Sequence, residues 1–383
     1  MTDSADSKTP DNLNMKRRDF GKMVLGGAAL LASGGRSSAI LPPLAPGVKI
    51  GTYAQNPTTE NMLYLRELGV KWISSSDATR ETSTVEGFTR IREQWEAGGF
   101  TVYNETARMG PNGPIINVPE IVLNLPSRDQ KIEEYQNYLR FLGKAGIHYM
   151  TYGFEGTGNW RSGRATVPRG YTASDCDLSS PTFQGGWGTK VYKNEPPAFG
   201  RVFSREEIWE NFEYFVKKVA PVAEEAGVRI GIHPDDPPAP MLSGVPRIFT
   251  SFDGYKRAME IATSPNMGIC LCCGTWLEGG TKMGAYPVEV IKYFAPRKKL
   301  FKIHFRNVTH PLPHFTETLM DDGYYDMYRI MDALVEVNFD GLVIPDHVPD
   351  LGGADGGASR GLAYSLGYLN ATVKAVQGNR RKT

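Results

Sequence analysis

The stretch Arg229–Pro238, "RIGIHPDDPP", decides the fold. It begins as a short apolar strand, reaches His233, and then places Asp235 and Asp236 before two prolines that stiffen the backbone. Such a run fits either a turn with solvated charges or a metal site at the carboxyl end of a barrel strand. The choice depends on whether other strands of the chain end in the same way.

Eight short β-rich runs alternate with segments that have the apolar spacing of helices. The runs are Val48–Thr52, Val70–Ser74, Phe100–Asn104, Tyr149–Phe154, Arg229–His233, Met267–Cys272, Leu300–Phe305 and Leu342–Asp346. Eight strands, each followed by a helix, predict an α/β fold of the (β/α)8 TIM barrel type. A doubly wound open sheet is the alternative, although no glycine-rich phosphate loop follows any of the runs.

The clearest predicted helix follows a long insertion. Ser204 and Glu207 have the spacing of a capping box, an apolar stripe starts at Ile208, and Gly227 supplies the stop. Between the fourth strand and this helix lies an insertion of about residues 156–203, rich in Gly, Pro, Ser and aromatic residues. Because loops of that length in a compact domain are usually functional, we expect it to cap the carboxyl-end face of the barrel.

The first 39 residues read as a twin-arginine signal peptide that is removed, which leaves a single barrel domain over residues 40–383. Arg17 and Arg18 precede a short apolar run over 23–32, and the small residues 37–39 form a plausible cleavage site. The apolar run is too short to span a bilayer. We therefore expect a periplasmic protein without stable membrane insertion.

The charge balance argues against a polyanionic partner. In 383 residues, Lys plus Arg (43) nearly equals Asp plus Glu (42), and the net charge is +1. This composition argues against nucleic acid or an anionic membrane surface as the main partner. Of the four cysteines, three lie within residues 270–273, too close to bridge one another without strain, and a disulfide from Cys176 to one of them stays open.

Four consecutive predicted strands carry a metal-binding side chain at or near their carboxyl ends. They are His233 on the fifth, Cys272 on the sixth, His304 on the seventh and Asp346 on the eighth. Taken singly, each has an ordinary structural role as its simplest explanation. Because the carboxyl ends of barrel strands converge on one rim, together they predict an N₂OS site for a divalent transition-metal ion.

Other polar residues surround the predicted metal site. His347 is placed to act as a general acid or base, because its neighbour Asp346 points into the barrel. Asp235 and Asp236 would orient His233, bind substrate hydroxyls, or simply form a charged turn. Arg306 shares a strand face with His304, where it would grip a substrate carboxylate or pair with Glu317. His310 and His314 are assigned no role.

At these residues the sequence resembles the mannonate dehydratase family of xylose-isomerase-like barrels, over nearly the whole mature chain. The most specific segments are "WENFEYFVKKVAPVAEEAGVRIGIHPDDPP", "GVPRI", "SPNMGICLCCGT", "KIHFRNV", "FTETLMDDGYYDMY" and "PDH", and "GNWRSGR" is similar to a further family segment. The resemblance implies Mn²⁺, or another divalent ion such as Fe²⁺ or Co²⁺, on the four residues above.

The resemblance also implies roles for further residues. His347 would be the acid/base and Tyr368, or alternatively Tyr364, its catalytic partner. Arg306, Asp235, Asp236, Trp160, Arg161 and Glu317 are the substrate-binding candidates. Asn159 replaces the family's acidic residue, and Ile344 and Val348 depart from its Arg-Pro-Asp-His-Gly pattern. "VYNETARMG" after the third strand lacks the family's His and Asp, and Cys273 changes its Cys-Thr-Gly-Ser turn.

These features predict a metal-dependent lyase that removes water from a sugar acid such as D-mannonate and forms a 2-keto-3-deoxy acid. The alternatives are a sugar isomerase, epimerase or keto-glycoside lyase on the same barrel, and a non-catalytic exported sugar-acid-binding protein. We also expect a homo-oligomer.

Overall fold

The computed structural model describes residues 46–105, 119–185, 190–193, 197–352 and 356–381. All of them belong to one compact unit, Ser38–Thr383. The predicted signal peptide lies outside the described residues, as does most of the "VYNETARMG" segment. Within the described ranges, no helix combines the length and apolar character needed to cross a bilayer.

Eight parallel strands form one sheet that curls into a barrel. They are β1 (Lys49–Ala54), β2 (Trp72–Ser75), β3 (Thr101–Glu105), β4 (Tyr149–Tyr152), β5 (Arg229–Ile232), β6 (Met267–Cys272), β7 (Leu300–Phe305) and β8 (Leu342–Pro345). Hydrogen bonding follows the order β3-β2-β1-β8-β7-β6-β5-β4, and the terminal strands β3 and β4 are in contact. The predicted TIM barrel is confirmed, and each strand lies at a predicted run.

Strand register places the predicted metal ligands at one level. Cys272 of β6 pairs with His304 of β7, and His304 pairs with Ile344 of β8. Two residues along a strand return the side chain to the same face, so Asp346 projects from the barrel end on the side of Ile344. Ile344 itself packs in the apolar interior of the barrel.

The helices lie between these strands. They are α1 (Thr59–Glu67), α2 (Val85–Ala97), α3 (Pro119–Val122), α4 (Arg128–Lys144), α5 (Arg205–Ala226), α6 (Phe252–Ile261), α7 (Cys273–Gly279), the 3₁₀ turn Gly280–Met283, α8 (Pro287–Phe294), α9 (Met327–Glu336) and α10 (Gly357–Arg380). In α5 the capping box of Ser204 and Glu207 is present, and Gly227 ends the helix in the left-handed conformation with φ 63°. Both features were predicted.

The insertion after β4 contains two antiparallel hairpins. One joins Gly163–Thr166 to Thr172–Asp177, and the other joins Thr182–Gly185 to Lys190–Lys193. The strand Thr172–Asp177 also pairs with His314–Thr318, which in turn pairs with Asn307–Val308 after β7. A further short hairpin joins Met241–Leu242 to Val245–Pro246. The first hairpin is therefore held against the segment that follows β7.

Candidate metal centre and active site

The structure brings the four predicted ligands together. One ligand atom from each of His233, Cys272 and His304 lies within 4.8 Å of the others. An oxygen of Asp346 lies 3.5 Å from the Cys272 sulfur, and its other oxygen lies 3.7 Å from Nδ1 of His304. Cys272, His304 and Asp346 are buried, and His233 is half-buried. Three of the predicted ligands therefore converge at the carboxyl end of the barrel, and Asp346 lies beside two of them.

The free atoms of this group suit a metal ion. His233 has Nδ1 at 2.8 Å from the Pro234 carbonyl, which leaves Nε2 available. His304 Nδ1 is buried and has no hydrogen-bond partner among the described residues, which is costly unless a metal or a water binds it. Burial lowers the pKa of both imidazoles, and so favours the neutral form that binds metals. The residues present thus fit a divalent transition ion.

The two acidic ligands are tuned by their neighbours. Although burial opposes it, the nearby His347, His304 and Arg306 hold the pKa of Asp346 well below its usual range. Burial raises the pKa of the Cys272 thiol, so a thiolate here depends on nearby positive charge. Arg306, whose Nη2 is 3.4 Å from the sulfur, supplies part of that charge, and a bound metal would supply the rest.

In the structure Arg306 donates to protein carboxylates, whereas the sequence suggested that it could bind a substrate carboxylate. Its side chain is 1% exposed, and each guanidinium nitrogen donates to protein acceptors. Its partners are Glu278 at 2.6 Å, Glu317 at 2.7 Å, Asp236 at 3.1 Å, Asp346 and Thr275 at 3.2 Å, and the Cys272 sulfur at 3.4 Å. The alternative reading, an ion pair with Glu317, is the arrangement that the structure contains.

Arg161 joins this buried ionic network from the insertion. It donates to both oxygens of Asp236, at 2.6 and 3.0 Å, and to Glu317 at 2.6 Å. Asp236 and Glu317 are fully buried and are bound to arginines here, so their substrate-binding role stays a prediction. Together with Arg161 they form a buried group of ion pairs that holds the insertion beside the predicted metal ligands.

Two other predicted substrate-binding residues are structural. Asp235 accepts a hydrogen bond from the Phe249 amide at 2.7 Å, and so holds the chain before α6 rather than His233. Trp160 is fully buried: its indole nitrogen donates to the Thr157 carbonyl at 3.3 Å, and its ring packs on Phe183. Both residues were predicted to bind substrate because they lie in sequence motifs. In the structure, these motifs contain residues that hold the loops in place.

Glu278 belongs to the network but was missed from the sequence. It lies on α7, fully buried, and its Oε1 accepts from Arg306 at 2.6 Å and from Arg161 at 3.3 Å. Burial and the neighbouring Asp236 raise the pKa of its carboxyl. No motif singles it out, although a carboxylate six residues after Cys272 was a visible hint.

His347 is the member of the site most open to solvent. Its side chain is 35% exposed, and Nδ1 lies 2.8 Å from Glu317 Oε1. The backbone is left-handed, with φ 44°, a conformation that costs a non-glycine residue about 1–2 kcal/mol and is common at functional sites. Against the effect of burial, Asp346 and Glu317 raise the pKa of His347. Its ring is therefore held where it can exchange protons.

The two tyrosines proposed as its partner lie elsewhere. Tyr368 is half-buried on α10 and packs against the main apolar core. Tyr364 donates to Asp321 at 2.6 Å and accepts from Arg169 at 3.2 Å. In the part of the chain that the structure describes, neither contacts the four ligands or His347, because α10 packs on the outside of the barrel. The structure therefore places Tyr368 away from the four predicted ligands, and its catalytic role stays a prediction.

All four cysteines are free and buried. The Cys176 disulfide that the sequence left open is absent from the structure.

Comparison with known proteins agrees with this site. Residues 193–383 match the family model described as D-mannonate dehydratase (UxuA). A mannonate dehydratase 2 from Halalkalibacterium halodurans is 31% identical over 279 residues, which cover 67% of this chain and 79% of that protein. The chain belongs to the mannonate dehydratase family.

A crystal structure and a second relative support the membership. The mannonate dehydratase of Streptococcus suis serotype 2 superposes with a TM-score of 0.72 at 25% identity, covering 88% of this chain and 96% of that one. The Streptococcus pneumoniae mannonate dehydratase is 32% identical over 239 residues, 58% of this chain and 64% of that protein. Mannonate dehydratases are metal-dependent, and His233, Cys272 and His304 form a group here that could bind the ion.

The position of Arg306 depends on a glycine. A Cβ atom added at Gly274 of α7 would lie 2.5 Å from Arg306 Nε and 2.7 Å from its Cζ. We expect Gly274→Ala to displace the guanidinium and lower the free energy of unfolding by about 1–3 kcal/mol, the usual cost of overpacking. Urea unfolding of the metal-free protein would measure this.

Gly367→Ala is the matched control. Gly367 is also helical, and a Cβ there meets nothing within 4 Å, so the change should stabilise by up to about 1 kcal/mol through helix propensity. If both substitutions changed the free energy of unfolding equally, the missing Cβ at Gly274 would not be needed to accommodate Arg306.

Proposed function

We propose that the protein is a metal-dependent dehydratase that removes water from a sugar acid, D-mannonate or a close relative, and forms a 2-keto-3-deoxy acid. Family membership supports the class, a carbon–oxygen lyase. The observation that carries the proposal is the position of His347: its ring is partly open to solvent, hydrogen-bonded to Glu317, and adjacent to four converging metal ligands.

His233, Cys272, His304 and Asp346 would hold the ion, which we propose to be Mn²⁺, Fe²⁺ or Co²⁺. When bound, such an ion acts as a Lewis acid that stabilises negative charge on substrate oxygen. The network around Arg306 keeps two of these ligands, Asp346 and Cys272, in place through donors at 3.2 and 3.4 Å. Because these contacts form without the ion, the side chains of Asp346 and Cys272 would need little rearrangement to bind it.

The reaction removes a proton from the carbon next to the carboxylate and hydroxide from the following carbon. The α-proton passes to a base or to solvent and replaces the proton that is given to the leaving hydroxide. The resulting enol becomes the 2-keto-3-deoxy acid, and the leaving hydroxide needs a proton to depart as water. His347 is the group placed to supply that proton, since Nδ1 is held by Glu317 and Nε2 lies 3.9 Å from Asp346. Asp346 and Glu317 favour the protonated imidazolium, which is the donor form.

A substrate screen with metal analysis tests the proposal. The purified protein would be reconstituted separately with Mn²⁺, Fe²⁺, Co²⁺ and Zn²⁺ and incubated with aldonic acids, free sugars and oxidised glycosides. We expect a product lighter than an aldonic acid by one water, formed only with metal present. A product of unchanged mass from a free sugar would indicate an isomerase or epimerase instead, and binding of sugar acids without any turnover would indicate a binding protein.

We also propose that a twin-arginine signal exports the protein as a homo-oligomer to the periplasm. Export in the folded state would allow the metal to be bound in the cytoplasm, where Mn²⁺ competes better with zinc and copper than it would outside. Cell fractionation of the full chain and of an Arg17→Lys, Arg18→Lys variant tests the location. Sedimentation of the purified protein tests the oligomeric state.

A further inference from the structure

The two ring nitrogens of His304 have different surroundings. Nε2 lies 3.2 Å from the hydroxyl oxygen of Tyr53. Nδ1 is buried, lies 3.7 Å from Asp346, and has no hydrogen-bond partner in the described part of the chain. Only one of these nitrogens can carry the proton in a neutral imidazole, and only the other has a lone pair for a metal.

Tyr53 reaches His304 from a strand that carries none of the four ligands. It lies on β1, next to β8 in the sheet, and its ring meets the His304 ring edge-on with centroids 5.7 Å apart. The ammonium of Lys302 lies 4.8 Å from the centre of the Tyr53 ring and donates to Ser74 at 2.9 Å. Contacts on both sides therefore fix where the hydroxyl points.

We propose that Tyr53 is a positioning residue whose hydroxyl oxygen accepts a hydrogen bond from Nε2–H of His304, which leaves the Nδ1 lone pair free for the metal. The proposal rests on the metal site proposed above. If Nδ1 carried the proton instead, that buried N–H would have no acceptor within hydrogen-bond distance among the described residues. Outer hydrogen-bond partners of this kind select the tautomer and orientation of a histidine ligand.

Tyr53→Phe removes the hydroxyl oxygen and leaves the ring in place. We expect the dissociation constant for Co²⁺ to rise about 10–100-fold, the usual effect of removing such a partner. Titration of the metal-free protein, followed by the visible absorption of bound Co²⁺, measures this directly without an activity assay.

Tyr103→Phe is the matched control. Tyr103 is buried in the same barrel interior, but its hydroxyl donates to the Phe301 carbonyl at 2.7 Å and not to a ligand. Each variant loses one buried hydrogen bond, so thermal unfolding of the metal-free proteins should show similar shifts. Only Tyr53→Phe should weaken Co²⁺ binding. Equal Co²⁺ affinity in the two variants would overturn the proposal.

A second measurement, made on the unaltered protein, does not depend on how Tyr53→Phe and Tyr103→Phe fold. Two-bond ¹H–¹⁵N spectra of the Zn²⁺-loaded protein report the tautomer of each of its 6 histidines, and a His304→Gln variant identifies the relevant signals. A proton on Nε2 of His304 supports the proposal, and a proton on Nδ1 refutes it. If Cys272→Ala binds Co²⁺ as well as the unaltered protein does, the metal site itself is wrong, which is a separate failure.

Discussion

Replacement of His347 by asparagine is expected to reduce turnover of the sugar acid by about 10²–10⁴-fold, the usual contribution of a general acid or base. Asparagine cannot transfer a proton at neutral pH. It also tolerates the left-handed backbone at this position, where φ is 44°, better than alanine does. The variant should therefore fold normally, and steady-state kinetics with the best substrate of the screen would measure the loss.

Metal content separates a proton-transfer role from a ligand role. His347 Nδ1 is bound to Glu317, and Nε2 lies 3.9 Å from Asp346, so His347 is not among the four converging ligands. Elemental analysis should therefore find as much metal in His347→Asn as in the unaltered protein. Loss of the metal together with activity would instead make His347 a ligand.

The control is His314→Asn. His314 follows β7 like Glu317, is 57% exposed, and binds Asp175 at 2.9 Å outside the site. We expect its turnover to stay within about two-fold of the unaltered protein, in line with the small effects of most surface substitutions. A similar loss in both variants would show that the His347 effect is not specific.

The proximity of the four predicted ligands could be expected from the sequence because it follows from two simple rules. Period-two alternation fixes which residues of a strand share a face, and parallel strands of a barrel end on one rim. His304 and Cys272 are adjacent in register, as these rules require. These two rules use only the positions of residues along the strands, so the four predicted ligands could be expected near one another without any information on side-chain contacts.

The charge pairing around the ligands could not be predicted in the same way. Arg306 does share a face with His304, but its partners come from α7 and from the insertion, which no strand pattern locates. Glu278 and Arg161 reach it from segments whose position depends on how the loops fold. The sequence shows that Arg306 lies near the carboxyl end of the barrel. Whether its guanidinium is free to bind substrate depends on partners that the sequence does not locate.

The same limit explains why the sequence did not show that Tyr368 lies away from the predicted metal ligands. Its position in the family pattern suggested catalysis, but a helix presents each residue to a direction fixed by packing. In α10 that direction is the apolar core outside the barrel. Half of a helix faces the domain it packs on, so aromatic residues there are more often core than catalytic.

Arg306→Met is expected to lower the free energy of unfolding by about 3–5 kcal/mol, the cost of breaking a buried ionic network from one side. Methionine has a similar length but carries no charge. Asp236, Glu278 and Glu317 are fully buried and would keep only Arg161 as a shared cation. Urea unfolding of the metal-free protein would measure the change.

Arg257→Met is the matched control for the loss of an arginine. Arg257 pairs with Glu206 on the surface, and the two side chains are 43% and 62% exposed. Exposed pairs contribute little to stability, so this variant should be nearly as stable as the unaltered protein. Equal destabilisation by the two substitutions would mean that the buried network around Arg306 stabilises the fold no more than a surface ion pair does.

Arg306→Lys distinguishes charge from geometry. Lysine keeps the positive charge but has one nitrogen, whereas Arg306 uses three nitrogens to reach Asp346, Glu317 and Asp236 in separate directions. We expect Arg306→Lys to recover part of the stability lost in Arg306→Met but to bind metal more weakly than the unaltered protein, because Asp346 loses its Nε donor. If Arg306→Lys bound Co²⁺ as tightly as the unaltered protein does, the positive charge alone would be enough to hold Asp346 in place.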